Sequence, residues 1–257
     1  MRFATISTLR HTSQPALVDG DRVHTLPFAD MYAVMEEGAE KAARKASRDW
    51  LPIEEVSFLS PLKPFTLRDG YAFEQHVMTA NRNRGRDVPA EWYEFPVFYF
   101  TNPNAVFGHE DVIPYPHYTD AMDYELEIAA VVGKGGMNIK PEDAPNHIFG
   151  YTIFNDWSAR DVQRKEMAVG LGPAKGKDFA SAFGPLIVTH EALADKWTGR
   201  PGMYDLEMSA KVNGKEFSRG NFKDMHWSFG EIIARVSDSV MLHPGDVIGS
   251  GTVGTGC

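Results

Sequence analysis

The sequence predicts an α+β fold rich in β-structure, in which a small N-terminal domain precedes a larger domain built on a mixed β-roll or barrel. Short apolar runs separated by Gly, Pro, Asn and Asp dominate the chain after residue 64 and are typical of strands. Only two amphipathic helices interrupt them, at residues 158–167 and 227–238. Strands and helices do not alternate regularly, which argues against a doubly wound sheet and favours a roll or barrel.

The small N-terminal domain is predicted for residues 1–63. Three short strand-like runs come first, with Asp19 and Gly20 at a hairpin turn. Residues 31–49 combine apolar and charged positions in the pattern of an amphipathic helix. The two prolines of the segment LSPLKP end this region, so we expect the second domain to span residues 64–257.

The second domain contains the strand-like runs that predict its sheet. Each run is short and ends at turn-forming residues. The runs lie at residues 95–100, 105–108, 125–133, 150–155, 184–190, 206–214 and 246–252.

Composition limits the classes of function. The formal net charge is −9 and the isoelectric point is about 5.5, so a nucleic-acid partner is not expected. The N-terminus lacks the apolar core of a signal peptide, and no apolar run approaches the ~20 residues of a membrane span. With Cys257 as the single cysteine, we expect a cytoplasmic protein without membrane association.

Two glutamates begin the run at residues 125–133. Side chains alternate along a strand, so Glu125 and Glu127 point to the same face, about 6.6 Å apart along the backbone. A divalent cation between them would relieve their repulsion, and oxygen ligands suit Mg²⁺, Ca²⁺ or Mn²⁺. Two glutamates facing water on an edge strand would fit equally well, and this pattern alone leaves both interpretations open.

Further polar candidates follow the run at residues 150–155. Asp156 stands between that strand and a helix, where it is either a site residue or a capping residue. Arg160, Gln163 and Arg164 share one helix face, which suits a planar carboxylate or diketone but also fits a solvent-facing polar stripe. In the glycine-containing loop that follows, either Lys175 or Lys177 can reach a neighbouring site, or both can be exposed.

Among the nine histidines, His76 has the most informative surroundings. Asp69 precedes it, an aromatic helical turn leads to it, and three arginines follow within the run 82–86. A neutral imidazole close to a metal can act as a general base toward water. The arginines would bind a substrate carboxylate or form an exposed basic loop.

Taken in order, these segments resemble the fumarylacetoacetate hydrolase superfamily from about residue 64 onward. The resemblance rests on Asp69 with the later FEQH segment, then DYELE, NDWSARDVQ, GPAKGK and GDVIGSGT. It implies a mixed β-roll, a homodimer and one divalent cation, most commonly Mg²⁺, with Ca²⁺ or Mn²⁺ as alternatives. The metal ligands that it implies are Asp69, Glu125, Glu127 and Asp156.

The resemblance also implies roles in catalysis and substrate binding. His76 would activate water, with Lys177 and Arg160 stabilising negative charge. The substrate contacts that it implies are Arg160, Gln163, Thr252 and Tyr99. In this family a glutamate beyond the Gly-Thr motif orients the histidine. Five residues follow Thr252 here, so we expect a roll without its last strands and a different orienting group, for which Glu74 is a candidate.

The expected activity is metal-dependent hydrolysis of a carbon–carbon bond in a small β-diketo acid, such as a fumarylacetoacetate-like or acylpyruvate-like compound of aromatic catabolism. The alternative is a metal-dependent lyase or isomerase, namely a decarboxylase, dehydratase or tautomerase acting on a related 2-oxoacid. A third interpretation is a protein that binds metal and oxoacid without turnover.

Overall fold

The computed structural model describes all 257 residues, which form seventeen strands and five α-helices. The strands are β1 (Arg2–Ser7), β2 (Gln14–Asp19), β3 (Arg22–Thr25), β4 (Leu51–Pro52), β5 (Ser57–Phe58), β6 (Leu67–Gly70), β7 (Phe98–Thr101), β8 (Val106–Phe107), β9 (Met122–Asp123), β10 (Leu126–Val132), β11 (Ile148–Asp156), β12 (Ser158–Ala159), β13 (Ser181–Phe183), β14 (Ile187–Val188), β15 (Glu207–Val212), β16 (Lys215–Asn221) and β17 (Val247–Gly249). The helices are α1 (Met31–Glu37), α2 (Ala39–Arg44), α3 (Glu74–Asn83), α4 (Arg160–Val169) and α5 (Phe229–Val236).

Thirteen strands form one mixed sheet in the order β4-β3-β2-β1-β14-β11-β10-β17-β6-β7, with β5, β8 and β13 attached beside this path. The β17–β6 and β13–β8 pairs are parallel, and the other pairs are antiparallel. The predicted β-rich α+β fold with a mixed sheet is confirmed. The end strands β4 and β7 do not pair with each other, so the sheet does not close into a barrel.

Strand β10 separates the two largest apolar cores. Ala130 and Val132 pack on one face, in the core that contains α5, whereas Ala129 and Val131 pack on the other, with Phe154. Both faces are therefore covered, which explains why the second half of this strand is apolar without alternation. Its first residue pairs with the penultimate residue of β11, so the start of β10 lies beside the end of β11.

The N-terminal segment joins the same sheet through β1, which pairs with β2 on one side and β14 on the other. Phe3 of β1 is fully buried, and its ring lies 5.2 Å from that of Phe149 on β11. Met31 and Val34 of α1 belong to this core as well. Residues 1–63 thus share a sheet and a core with the rest of the chain, and the domain boundary at residue 63 stays a prediction.

The helices depart from the sequence pattern at four places, one of which is α5, which spans Phe229–Val236 rather than the predicted residues 227–238. The helix predicted over residues 31–49 breaks at Gly38, whose positive φ of 86° separates α1 from α2. Helix α3 was predicted only as a turn, because its sole buried residues are Val77 and Asn81 and its remaining surface is mostly polar. Helix α4 begins at Arg160, two residues later than the pattern indicated.

We expect Phe3→Ala to lower the free energy of unfolding of the whole chain by about 3–5 kcal/mol, because it removes a buried ring from the shared core. Guanidinium unfolding followed by tryptophan fluorescence and circular dichroism measures this effect. Phe217→Ala, at a ring that is 57% exposed, is the control and should change little. Two separate transitions, with only one shifted by Phe3→Ala, would instead show that residues 1–63 unfold independently.

Candidate metal centre and active site

Four carboxylates meet near one end of the central strands. Asp69 lies on β6, Glu127 on β10 and Asp156 at the end of β11, while Glu125 immediately precedes β10. One oxygen from each lies within 4.8 Å of the others, and every one of these residues is buried. The structure therefore brings together the four residues for which the sequence predicted a metal site.

A glycine in the intervening strand makes this approach possible. β17 lies between β10 and β6, and Gly249 pairs with Ala129 on one side and with Asp69 on the other. A Cβ atom at position 249 would overlap the Asp69 carboxylate, so the missing side chain leaves room for it over β17. The backbone N–H of Gly251 donates a 3.0 Å hydrogen bond to Asp69 Oδ1 and holds the carboxylate there.

Several carboxylate oxygens in this cluster are buried without a hydrogen-bond donor. Both oxygens of Glu127 and Oδ1 of Asp156 are in this state. Burial, followed by the charges of Asp69 and Glu125, raises the pKa of Glu127 well above its ordinary value. Burial and the Asp156 charge raise the pKa of Asp69 to about 7. Buried, unpaired carboxylate oxygens are costly unless a cation satisfies them, so the cluster fits a divalent metal ion with oxygen ligands.

Lys177 supplies a positive charge inside the cluster. Its buried Nζ lies 2.6 Å from Glu125 Oε2 and 2.8 Å from Asp156 Oδ2. Burial alone would lower the pKa of this amine, but Asp156 and Glu125 together raise it. Lys177 therefore stays protonated. Of the two loop lysines considered from the sequence, Lys175 instead pairs with Asp178 in an exposed position.

Arg160 supplies the second cation. Its Nη1 donates to Glu125 Oε1 at 2.8 Å and to Gln163 Oε1 at 3.1 Å, while its Nε donates to Asp123 Oδ2 at 2.9 Å. Burial would raise the pKa of Glu125, but Lys177 and then Arg160 lower it to about 2. Arg160 Nη2 is buried and has no acceptor. Arg164, placed on the same face by the sequence pattern, is exposed.

Asp123 was quoted in the sequence motif but was not predicted to have a role. It lies on the short ladder of β9 and β12, in which it pairs with Ser158. The sequence signal for such a role was its spacing of two residues from Glu125, because residues two apart on a strand share a face. Its ladder partner Ser158 does not cap α4, and the Ser158 hydroxyl donates to the Asp156 carbonyl.

His76 lies on the first turn of α3 and is half-buried. Burial lowers the pKa of its imidazole to about 4. The negative charge of Glu125 raises this pKa, and the positive charge of Arg160 lowers it. The ring is therefore neutral near pH 7. Its Nδ1 lies 3.9 Å from Cys257 Sγ, and the Tyr71 ring meets it edge-on at 5.4 Å.

Glu74, the candidate for orienting His76, is engaged elsewhere. Its Oε1 accepts a 2.7 Å hydrogen bond from the Tyr93 hydroxyl. The suggestion that Glu74 orients the imidazole is therefore not supported by the geometry.

The two remaining candidates both contact the cluster or its strands. The Tyr99 hydroxyl donates a short hydrogen bond to Asp156 Oδ2, so this side chain is tied to a carboxylate of the cluster. Thr252 is buried, and its hydroxyl donates weakly to the Leu126 carbonyl at 3.4 Å. Their roles in substrate binding stay predictions.

A family model described as fumarylacetoacetate (FAA) hydrolase C-terminal matches residues 66–257, which include the whole acidic cluster with Lys177, Arg160 and His76. The chain belongs to the fumarylacetoacetate hydrolase family. The resemblance predicted from the ordered sequence motifs is thereby confirmed.

Two named relatives are similar to the chain in sequence. It is 35% identical over 167 residues to oxaloacetate tautomerase YisK of Bacillus subtilis (strain 168), a match that covers 65% of the chain and 51% of YisK. It is 32% identical over 238 residues to the mitochondrial oxaloacetate tautomerase FAHD2A of Homo sapiens, covering 89% of the chain and 70% of that protein. The chain thus spans about half the length of YisK.

Among solved structures, the 5-carboxymethyl-2-hydroxymuconate delta-isomerase from Mycobacterium smegmatis superimposes with a TM-score of 0.74 at 26% identity. The superposition covers 98% of the chain and 88% of that protein. The relatives therefore include proteins named as tautomerases and isomerases within a family named for a hydrolase. None of the helices in the structure has the length and apolar character needed to cross a membrane.

The raised pKa of Asp69 predicts a pH-dependent stability of the metal-free protein. A carboxyl whose pKa rises from 3.8 to about 7 on folding contributes stability that is complete below the unfolded value and is lost as the pH rises through the folded value. Thermal unfolding in EDTA should therefore show a midpoint that falls as the pH rises from about 4 to about 7 and then levels off. Mn²⁺ should raise the midpoint more at the higher pH, because the ion binds ionised carboxylates.

Asp69→Asn is the control for this prediction, since it has no proton to lose. The variant should show a weaker fall with pH and a smaller gain from Mn²⁺. Equal pH profiles for Asp69→Asn and the wild type would contradict the assignment.

Gly249→Ala should weaken Mn²⁺ binding about tenfold or more, because the new Cβ displaces Asp69 from the cluster. Isothermal titration calorimetry measures the affinity. In the Asp69→Asn background the same change should add little, since the displaced ligand is already gone. Equal losses in both backgrounds would show that Gly249 does not act through Asp69.

Proposed function

We propose that the chain catalyses a metal-dependent keto–enol tautomerisation or isomerisation of a small 2-oxoacid, through an enolate of the substrate. One observation carries the proposal. The Lys177 ammonium group is buried between Glu125 and Asp156, inside a carboxylate cluster in which both oxygens of Glu127 and Oδ1 of Asp156 lack donors. Such a site combines fixed positive charge with a position for a divalent cation, and both stabilise an oxyanion that develops during reaction.

The four carboxylates Asp69, Glu125, Glu127 and Asp156 would hold the cation. Glu127 is the strongest candidate ligand, since neither of its oxygens has another partner, whereas both Glu125 oxygens already accept from Arg160 and Lys177. When bound there, a divalent ion supplies Lewis acidity toward the oxygens of a 2-oxoacid.

Lys177 and Arg160, the two basic side chains of the site, have separate roles in the proposed reaction. Lys177 remains protonated because its carboxylate partners raise its pKa. It therefore offers a charge-assisted donor to the enolate oxygen. Arg160 is held by Asp123 and Glu125 through two of its nitrogens, which leaves its buried Nη2 free to donate to the substrate carboxylate. Gln163 accepts from the same guanidinium and keeps it on this side of α4.

His76 is the proposed proton acceptor. Its lowered pKa of about 4 keeps the imidazole neutral near pH 7, so its free nitrogen can accept a proton from the carbon next to the carbonyl. Arg84 lies close enough to act electrostatically on both His76 and Tyr71. A positive charge near the proposed base favours an anionic substrate despite the negative net charge of the chain.

Relatives that are named as tautomerases or isomerases support this reaction class. YisK and FAHD2A are both named oxaloacetate tautomerases, and the similar Mycobacterium smegmatis structure is a delta-isomerase. Each of these names describes movement of a proton and a double bond in an oxoacid or its enol. A small 2-oxodicarboxylate is therefore the proposed substrate class.

Hydrolytic cleavage of a β-diketo acid, the activity first expected from the sequence, is the second candidate. The neutral imidazole of His76, whose pKa Glu125 and Lys177 both influence, favours it, since the same group can deprotonate a water that attacks a carbonyl. Both reactions pass through an enolate and use Lys177 and Arg160 alike, so their products distinguish them.

The decisive experiment follows two substrates by NMR in the presence of Mg²⁺ or Mn²⁺. With freshly dissolved enol oxaloacetate, we expect faster conversion to the keto form without loss of carbon, and EDTA should abolish the acceleration. With an acylpyruvate, we expect no paired acid and pyruvate products. Cleavage of the acylpyruvate without faster tautomerisation would establish the hydrolase instead. Stabilisation by metal and oxoacid without any turnover would identify a binding protein.

Variants test the proposed roles in the same assay. Lys177→Met and His76→Ala should each lower kcat about 100-fold or more, because the first removes an oxyanion donor and the second removes the base. Lys175→Met, which alters an exposed lysine of the same loop, is the matched control and should change kcat less than about threefold. Full activity of His76→Ala would exclude this residue as the base.

A further inference from the structure

Lys177 depends on a tight turn for its place in the cluster. The N–H groups of Lys177 and Asp178 both donate to the Ala174 carbonyl at 3.0 Å, which closes the chain into a turn just before the buried side chain. The turn lies in a loop that follows α4, in which Gly170 and Gly172 both have a positive φ. The loop reverses direction and returns to the helix that it has just left.

One side chain of α4 accepts hydrogen bonds from the backbone of this turn. The carboxylate of Glu166 accepts hydrogen bonds from three consecutive backbone N–H groups: Ala174 at 2.9 Å, Lys175 at 2.6 Å and Gly176 at 3.1 Å. Although burial raises the pKa of Glu166, these hydrogen bonds lower it overall, so the group is ionised and the hydrogen bonds are charge-assisted.

The same turn is fixed from a second direction. The Gly176 carbonyl accepts a 2.7 Å hydrogen bond from the N–H of Ala159 on β12. A Cβ atom at position 176 would lie 2.8–2.9 Å from the backbone and Cβ of Gln163, so the turn packs directly on α4. Glu166 and Gln163 thus hold the turn on the helix that also begins with Arg160.

We propose that Glu166 is a positioning residue, which binds the backbone of residues 174–176 and so keeps the Lys177 ammonium group between Glu125 and Asp156. Arg160 and Lys177, the two cations of the site, are then parts of one unit: Arg160 at the first turn of α4, and Lys177 on a turn that is tied to the second turn of the helix. Part of the test rests on the proposed function, because it measures turnover, and part does not.

The part that is independent of turnover is lysine labelling of the metal-free protein, with an amine-reactive acetylating reagent and peptide mass spectrometry. In the wild type, exposed Lys175 should react and buried Lys177 should be protected. Glu166→Ala and Glu166→Gln should increase the labelling rate of Lys177 about tenfold or more, because the turn loses its anionic acceptor. Lys175 serves as the internal reference.

Asp161→Asn is the matched control. Asp161 is another carboxylate of α4, but it accepts from Thr119 and from the N–H of Asp120, away from the turn. Lys177 should stay protected in this variant. Near-ultraviolet circular dichroism establishes folding, and Glu166→Gln carries the test if Glu166→Ala does not fold. Protection of Lys177 in both folded Glu166 variants would overturn the proposal.

The second part separates kcat from KM in the metal-loaded enzyme. Glu166→Gln should lower kcat about 10- to 100-fold and change KM less than about threefold, because Arg160 keeps its partners Asp123 and Glu125. A rise in KM with unchanged kcat would contradict a role through Lys177. If the wild type itself shows no turnover, the proposed function fails, while the labelling result still decides the role of Glu166.

Discussion

The structure depends on the burial of four carboxylates in one place. Asp69, Glu125, Glu127 and Asp156 together carry four negative charges when ionised, and the cations that touch them are Lys177 and Arg160. Because Arg160 also pairs with Asp123, these two cations leave a net negative charge that a divalent ion would offset. Without an ion the cluster must retain protons, which is the physical meaning of the raised pKa values of Asp69 and Glu127. Protons and metal therefore compete for the same oxygens.

This requirement explains why a glycine stands in β17 next to the site. A side chain at position 249 would overlap the Asp69 carboxylate, and Gly249 leaves room for that carboxylate over β17. The apolar cores on both faces of β10 then hold the acids in a region that water does not freely enter. In such surroundings fixed charges interact strongly, which makes the placement of Lys177 by its turn as important as its identity.

Local sequence patterns predicted part of this arrangement and not the rest. Strand alternation placed Glu125 and Glu127 on one face, but it did not distinguish a metal site from an exposed edge, because the coverage of a strand is decided by distant residues. The ordered motifs decided in favour of the site. The parallel pairing of β6 with β17, which brings Asp69 to the cluster, joins segments about 180 residues apart and has no local signal. Glu166 was missed because its role lies in binding backbone N–H groups, which side-chain patterns do not reveal.

The proposed catalytic groups come from two parts of the fold, which suggests how one family supports several reactions. The acids and the two cations come from the sheet and from the unit of α4 with its returning loop, and both reaction classes need them to stabilise an enolate. His76 comes from α3, whose buried residues are Val77 and Asn81 and whose following loop is exposed. A segment held by so few buried side chains can change its position or length without disturbing the cluster. Whether the imidazole faces a substrate carbon or a water molecule is therefore a property of α3, and α3 is where tautomerase and hydrolase are expected to diverge.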